Sequence, residues 1–460
     1  MRLEQFCFLT KTQSLHVQIK FGATDVGIRK IVVVGGGAAG LELATHLGRR
    51  LGKHDRAQVT LIDATRTHVW KPLLHQVAAG TFDPAQHALG YLAHARWNHY
   101  RFRLGVMQDL DRIKREIILA PLHNETGEEL IPSRTFSYDY LVFAVGSVSN
   151  DFGIPGVQEH CLMLDTKSQA SNFQQQLLEA LIKANTQTEA LQDGQLDVAI
   201  VGAGATGVEL AAQLHQVTRQ IAQYGFETIE PDRHIHLHIL DAGPSILPAL
   251  PEKLSSQVQK ELESLGIQVH VSEMVTKVTE DAVHTDSGLV IPAAIKVWAA
   301  GIKGPDFLAQ LDLSVNRINQ LKVHGDLTLE DDERIYAIGD CAACVMNEQG
   351  ELVPPRAQAA HQQASFVAKA LLKRIKGQRF DKRYIYRDYG SLVTLGRYST
   401  VGNLMGAITG SVRVSGWIAR WVYLSLYKMH QLTLFGWWRT GLTTLARMLR
   451  RSIDPAIKLH

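Results

Sequence analysis

The sequence predicts an α/β protein of two parallel-sheet units, one inserted in the other, followed by a helical region at the C-terminus. Three observations predict it. A β-branched run that stops at a Gly-x-Gly-x-x-Gly turn and continues as a helix occurs twice, over residues 30–47 and 197–214. A length of 460 residues gives room for two or three domains. The last fifty residues, finally, differ in charge and aromatic content from everything before them.

Composition narrows the class. With 45% hydrophobic and 20% charged residues the chain is an ordinary globular protein. A net charge of +3 is too balanced for a surface that grips nucleic acid, so no nucleic-acid partner is expected. The four cysteines, Cys7, Cys161, Cys341 and Cys344, are too few for a secreted disulfide framework and suit the reducing cytosol. Residues 1–27 read as an N-terminal extension without the apolar core and cleavage site of a signal peptide. Nowhere do 18 consecutive residues stay apolar and uncharged, so no spanning helix is expected.

The first unit opens on the strand Lys30-Ile-Val-Val-Val34, which ends at Gly35-Gly-Gly-Ala-Ala-Gly40 and passes into a helix. Gly35 permits the tight turn, Gly37 lets a pyrophosphate approach the backbone, and Gly40 lets helix and strand pack closely. The helix N-terminus then faces the phosphates. The next strand, residues 58–62, ends at Asp63, where a carboxylate can accept from a ribose; it follows Gly35 by 28 residues, against a usual interval of about 20.

The second unit repeats the pattern. Asp197-Val-Ala-Ile-Val201 leads to Gly202-Ala-Gly-Ala-Thr-Gly207, with Gly202, Gly204 and Gly207 at the same offsets and Thr206 in the turn. A strand over residues 234–240 is expected to end at Asp241, 39 residues after Gly202, so an insertion must lengthen the helix or its exit loop. A carboxylate there accepts from the 2′-hydroxyl of NADH and repels the 2′-phosphate of NADPH, making NADH the preferred donor. Two Rossmann-like units whose first glycines lie 167 residues apart imply two dinucleotides that meet, FAD in one and a nicotinamide in the other.

At this point the chain resembles the two-dinucleotide-domain flavoprotein reductases, and more specifically the type II NADH:quinone oxidoreductases. The resemblance runs from about residue 29 to the C-terminus. It is carried by Val33-Val-Gly-Gly-Gly-Ala-Ala-Gly-Leu41, Lys71-Pro-Leu-Leu-His75, Tyr140-Leu-Val-Phe-Ala-Val-Gly146, Val201-Gly-Ala-Gly-Ala-Thr-Gly-Val-Glu-Leu210, Val297-Trp-Ala-Ala-Gly301, Gly339-Asp-Cys-Ala342 and Ala357-Gln-Ala-Ala-His-Gln362. It implies FAD as cofactor, held by Gly35, Gly37, Ala38, Ala39, Gly40, Asp63, Ala144, Gly146, Asp340, Ala357 and Gln358. It implies NADH on Gly202, Gly204, Thr206, Gly207, Glu209, Asp241, Ala300 and Gly301, and a catalytic part for Glu209, Gln358 and Gln362. The Ala357–Gln362 segment is similar to that family's quinone-site motif. Gln358 and Gln362, four apart on a helix, would share a face and donate to a membrane quinone, with small Ala357 and Ala360 admitting the ring.

Other features weigh less. Cys341-Ala-Ala-Cys344 lacks the second pair a zinc site needs and no metal is expected; its small residues suggest a helix packed beneath the flavin. His234, His236 and His238 read as a polar strand face without a carboxylate partner. Glu209 sits in the first turn of the second helix, where the dipole favours a carboxylate.

Residues 411–460 carry eight Lys/Arg against one acid and four of the seven tryptophans. At the helical period, Trp437, Trp438, Leu442, Leu445 and Leu449 fall on one arc, and Arg439, Arg447, Arg450 and Arg451 on the other with the threonines. Such a helix lies in a bilayer interface, indoles at the headgroups and arginines on an anionic lipid surface. A homodimer through the same apolar face is the competing partner.

The expected organisation is an extension over 1–27, a first FAD part over 28–152, an NADH-binding domain over 153–317, a second FAD part with the quinone segment over 318–395, and a membrane-anchoring region over 396–460. NADH would reduce FAD and FAD a membrane quinone, without proton pumping, in a respiratory electron-transport enzyme peripheral to the cytoplasmic face of the inner (cell) membrane. The alternatives are a disulfide or sulfide:quinone reductase using Cys341 and Cys344, and a non-catalytic NADH-sensing membrane flavoprotein.

Overall fold

The computed structural model describes residues 28–83, 88–222, 225–226, 228–395, 400–406 and 410–450. The expected extension over 1–27 lies outside them.

Strands β1 (Arg29–Val34), β2 (Ala57–Asp63), β3 (Arg101–Leu104) and β4 (Tyr140–Phe143) are joined late in the chain by β10 (Ile335–Ala337) in one parallel sheet of order β10-β4-β1-β2-β3. Ile31 lies opposite Tyr140 on one side and Val59 on the other. The central position explains the uninterrupted apolar run: Ile31, Val32, Val33 and Val34 are all buried, each stabilising the core by about 1.5–3 kcal/mol.

The second sheet repeats this arrangement. Strands β5 (Leu162–Met163), β6 (Val198–Val201), β7 (Leu237–Asp241), β8 (Gln268–Val271) and β9 (Ile295–Trp298) run parallel in the order β5-β9-β6-β7-β8. The strand expected from residue 234 therefore starts three residues later. His234 instead ends the one-turn helix Pro231–His234, whose proline supplies the fixed φ of a helix start.

Where the chain leaves the first unit, Val148–Ser149 pairs antiparallel with Ile302–Lys303, where it returns. Leu308, Leu311 and Leu313 already pack in the first core, so the expected boundary at 317/318 falls inside the first unit.

Five helices position the site: α1 (Ala38–Arg50), α2 (Tyr91–Asn98), α3 (Ala205–Ala222), α4 (Ala357–Ile375) and α5 (Gly416–Arg450). The boundary expected at 395/396 divides an antiparallel sheet of β11 (Gly390–Thr394), β12 (Thr400–Gly406) and β13 (Gly410–Ser415). Gly436, at φ 78° and ψ 169°, breaks α5 into two helices.

Candidate active site

The two glycine turns are congruent. Gly35 and Gly202 hold φ of +100° and +108°, and a Cβ on them would strike the Ala144 carbonyl oxygen at 2.3 Å and the Ala299–Ala300 peptide at 2.6 Å. A Cβ on Gly40 or Gly207 would lie 1.9 or 2.0 Å from the carbonyl oxygen of Gly35 or Gly202, which is why helix and turn close so tightly. The middle glycines differ from these. Around Gly204 a Cβ would meet nothing within 4 Å, and at Gly37 only the Ala144 oxygen at 4.0 Å. Each turn is thus packed behind and open in front, at a helix N-terminus, which fits a dinucleotide pyrophosphate. Ala38 and Thr206 flank the open sides, and Ala39 is buried behind.

The two strand-end acids match as well. Asp63 accepts from the Gly36 amide at 2.6 Å and from the Thr65 amide and hydroxyl at 2.8 and 2.6 Å. Asp241 accepts from the Ala203 amide at 2.6 Å and the Gly243 amide at 2.8 Å. Each carboxylate braces its own glycine turn while standing at the end of its strand. The 39-residue interval before Asp241 is filled by the 18 residues of α3 and the Pro231–His234 turn.

Near where the units join stands Asp340, just beyond β10. Its carboxylate accepts from the Ser147 hydroxyl at 3.0 Å. Burial pushes it above the usual carboxylate range, opposed by that hydrogen bond and by the Lys71 ammonium. Lys71 donates to the Ser147 carbonyl at 2.8 Å and pairs with Asp165 at 3.2 Å. Gln320 donates to the Asp340 carbonyl at 2.9 Å, and Gln363 accepts from the Gly339 amide at 2.6 Å. Gly146 and Gly339 take φ of 72° and 75°, open to glycine at little cost. A Cβ on Gly339 would lie 3.7 and 3.9 Å from those of Ala39 and Ala360, so small side chains bring α1, α4 and the Asp340 turn together. A flavin beside this turn fits the donor set. Ser147, Gln320 and Gln363 were missed by the sequence analysis, because nothing in their local spacing marks them, and Lys71 was quoted there only as part of the Lys71–His75 segment, without a role at this site.

Glu209, on α3, is buried, accepts from the Thr394 amide at 3.0 Å, and stands 3.5 Å from His75 Nδ1. His75 is pushed down to about 4 by burial, so at neutral pH it is an uncharged imidazole there. Glu209 thereby ties the second unit to the short helix Leu74–Ala78 and to β11. Ala300 and Gly301 follow β9; Gly301, at φ 65°, leaves room for the Phe152 ring, which a Cβ would meet at 2.4 Å.

The two motif glutamines face the chain itself. Gln358 donates to the Asp388 carboxylate and the Gly390 carbonyl, both at 3.1 Å, and accepts from the Tyr389 amide at 3.1 Å. Gln362 donates to the Arg387 carbonyl at 2.8 Å and accepts from its amide at 3.0 Å. The expected free donors are therefore committed to residues 387–390, clamping that segment along α4. Ala357 starts the helix, half-buried, while Ala360 faces α1.

Cys341 and Cys344 are buried free thiols, both pushed up to about 11 by burial. The helix expected after Asp340 is instead a short strand, Ala342–Ala343, paired with Leu321–Lys322. His236 and His238 do have a carboxylate: Asp197 lies 2.9 Å from His236 Nδ1 and 3.8 Å from His238 Nε2. No group of three or more candidate metal ligands occurs among the described residues.

Beyond Gly436 only part of the polar arc of α5 faces the protein, Arg439 and Thr443 being exposed. Thr440 is buried, Lys428 donates to the Thr444 hydroxyl at 2.7 Å, and the Arg439 guanidinium lies 4.6 Å from the Trp97 ring centroid. Trp437, Trp438, Leu442, Leu445 and Leu449 face outward, 51–76% exposed. Exposed Trp97 on α2, beside Arg439, joins the same region and was not anticipated. The side chains of Arg447 and Arg450, and all of Arg451, lie outside the described residues. No helix among the described residues is long and apolar enough to cross a membrane.

Comparison with known proteins agrees with this geometry. The pyridine nucleotide-disulphide oxidoreductase family matches residues 29–364. A type II NADH:quinone oxidoreductase of Haemophilus influenzae is 40% identical over 448 residues, covering 94% of this chain and all of the relative. One from Mycobacterium tuberculosis is 28% identical, over 90% of this chain and 88% of its own. In fold, the NDH2 of Plasmodium falciparum in complex with NADH superposes with a TM-score of 0.78 at 19% identity, over 94% of this chain and 100% of that one. The sulfide:quinone oxidoreductase of Aquifex aeolicus gives 0.68 at 16% identity, over 93% and 96%. The chain belongs to the pyridine nucleotide-disulphide oxidoreductase family and, within it, to the type II NADH:quinone oxidoreductases.

Proposed function

We propose that NADH binds the second glycine turn, FAD the first, and that quinone is reduced beside α4, the chain acting as an NADH:quinone oxidoreductase that pumps no protons. NADH, one proton and quinone give NAD⁺ and quinol. FAD, when bound, supplies the two-electron link between nicotinamide and quinone. The observation that carries the reading is the pair of congruent glycine turns with Asp340 close to the junction of the two units.

Gly35, Gly37 and Gly40 seat one pyrophosphate and Gly202, Gly204 and Gly207 the other, each against a helix N-terminus. Asp63 and Asp241 retain lone pairs for ribose hydroxyls. Asp340, fixed by Ser147, orients the flavin. Glu209 holds the nicotinamide unit in register through Thr394 and His75. Gln358 and Gln362 hold residues 387–390 against α4, where that segment would form one wall of the quinone site. Nothing here needs a covalent step, and buried thiols near 11 are protonated at neutral pH, so they do not favour the disulfide-reductase alternative.

An exposed tryptophan-bearing face with the exposed Arg439 beside it supports peripheral attachment to an anionic lipid surface, which this proposal assigns to the cytoplasmic side of the cell membrane. Trp97, beside Arg439, enlarges that face. Liposome sedimentation compared with the mass of the free protein separates lipid binding from a homodimer.

Anaerobic mixing with NADH tests the core reading. The flavin absorbance bleaches and a quinone restores it. Bleaching that no quinone reverses removes the acceptor assignment, and no bleaching leaves an NADH sensor.

A further inference from the structure

A buried chain of polar side chains outside the site runs from the C-terminal helix to the first glycine turn. Glu42, on α1, accepts at one oxygen from His361 at 2.5 Å and at the other faces His430 Nδ1 at 2.7 Å. His430 Nε2 lies 3.1 Å from His68 Nε2, and His68 Nδ1 lies 3.0 Å from the Gly36 carbonyl oxygen. Glu42, His68 and His430 are all buried, and the His430 ring lies tilted against that of Trp70, centroids 4.1 Å apart.

The direction of each bond follows from the two ends. A carbonyl only accepts, so His68 donates at Nδ1. Burial first, and the neighbouring His430 second, push His68 down to about 3, leaving Nε2 a lone pair; His430 must donate to it. At the other end burial raises Glu42, but hydrogen bonds from His361 and His430 outweigh it and hold the carboxyl below its usual range. The His430 ring is thus held at both nitrogens, between Glu42 and His68.

The carbonyl at the end of the chain belongs to the glycine turn. The Gly36 carbonyl also accepts from the Tyr91 hydroxyl at 2.7 Å and the Gly36 amide donates to Asp63, so the peptides before and after Gly36 are both held. The helix bearing His430 is gripped a second time by α1. Arg49 donates to the carbonyls of Thr433 and Leu434 at 2.9 and 2.7 Å, where a cation suits a helix C-terminus.

We propose that His430 is a positioning residue of the FAD site. Through His68 it fixes the Gly36 peptide of the pyrophosphate turn, so FAD retention and docking of the C-terminal helix are thermodynamically coupled. The proposal rests on the first turn holding FAD. Linkage makes the effect reciprocal: FAD tightens the helix by the factor by which the helix tightens FAD.

Full-length holoenzyme tests this through FAD release on dilution, followed by flavin fluorescence, and through amide exchange over residues 427–435. His430→Ala should raise the FAD dissociation constant by roughly 5- to 150-fold, the usual span of such couplings. His361→Ala removes a Glu42 partner off the route to Gly36 and should change it by less than about twofold on the same scale. In the unsubstituted protein, excess FAD should slow exchange over 427–435, and His430→Ala should abolish that dependence. Equal FAD loss in both variants, or exchange over 427–435 insensitive to FAD, overturns the coupling. The second measurement decides even where His430→Ala fails to fold. Absence of FAD from the unsubstituted protein would instead overturn the cofactor reading itself.

Discussion

Glu42 and His430 stand 388 residues apart in the chain and 2.7 Å apart in the fold. Their contact makes the first half of the C-terminal helix a wall of the first unit. Leu434, four residues on, lies in the same core as β1, 2% exposed. Past Gly436 the chain changes role and shows its apolar side outward. The region therefore divides at a glycine into a docked helix and an outward-facing one.

Truncation at two points separates these roles. Removing everything after residue 410 strips Glu42 of one of its two partners, His430, and the carbonyls from Arg49, and leaving a buried hydrogen-bonding group without a partner costs about 1–3 kcal/mol. Such a protein should melt lower and purify with less flavin. Truncation after residue 436 keeps His430 and Leu434 and should leave a folded, yellow protein that no longer sediments with anionic liposomes. Thermal melts, flavin-to-protein ratios and liposome sedimentation check both, and retained liposome binding after the shorter cut removes the outward helix as the anchor.

Both glycine turns and the strand-end acids were legible because the strand, turn, helix and acid of each motif lie within about forty residues, although the backbone packed behind Gly35 and Gly202 comes from Ala144 and from Ala299–Ala300. Gly35 and Gly202 need positive φ wherever the rest of the chain goes. The tail was legible only in part. Periodicity over 437–451 separates arginines from tryptophans, but it cannot show that the preceding turn buries His430 against a glutamate 388 residues away. Gln358 and Gln362 were legible in part for the same reason: their shared face was readable, the segment bonded to it was not. The alternation in Val412-Arg-Val-Ser415, next to Gly410, was a strand signal that the anchor reading passed over.

Asp241 should set nucleotide choice. Its oxygens brace Ala203 and Gly243 while the remaining charge opposes a 2′-phosphate. Asp241→Asn should lower the NADH-over-NADPH preference in kcat/KM by about 10- to 100-fold, the scale of one charged hydrogen bond. Steady-state kinetics with both nucleotides measure it. An unchanged ratio assigns discrimination elsewhere.

Asp340 predicts a stability that depends on pH. Burial raises its folded-state value above the ordinary 3.8, so folding is unpenalised below that value and loses stability as pH rises through it, the full loss holding above the folded value. Asp340→Asn in flavin-free protein should therefore raise the Tm at pH 7, with the gain vanishing toward pH 4. Flavin affinity should fall about tenfold or more through the lost charged acceptor. Melting curves across pH and a flavin titration test the two signs separately, and a lower Tm at pH 7 refutes the penalty.

Gln362 offers the sharpest test of where quinone reacts. Its amide pairs with both backbone groups of Arg387, the pattern one strand makes with another, and Gln358 does the same four residues earlier at Tyr389 and Gly390. Truncating Gln362 to alanine leaves those two groups to water and frees residues 387–390 from α4, at a cost of about 1–3 kcal/mol. The glycine turns and Asp340 do not touch that segment through any hydrogen bond described above, so hydride delivery from NADH should proceed within about twofold of the original rate, as a distant site with no shared partner implies. Reoxidation by quinone should slow by about tenfold, because an acceptor site walled by a loosened segment loses its orientation. Stopped-flow traces of the two half-reactions read these effects independently. If Gln362→Ala slows only flavin reduction, the wall belongs to the nicotinamide side and quinone must approach from another face.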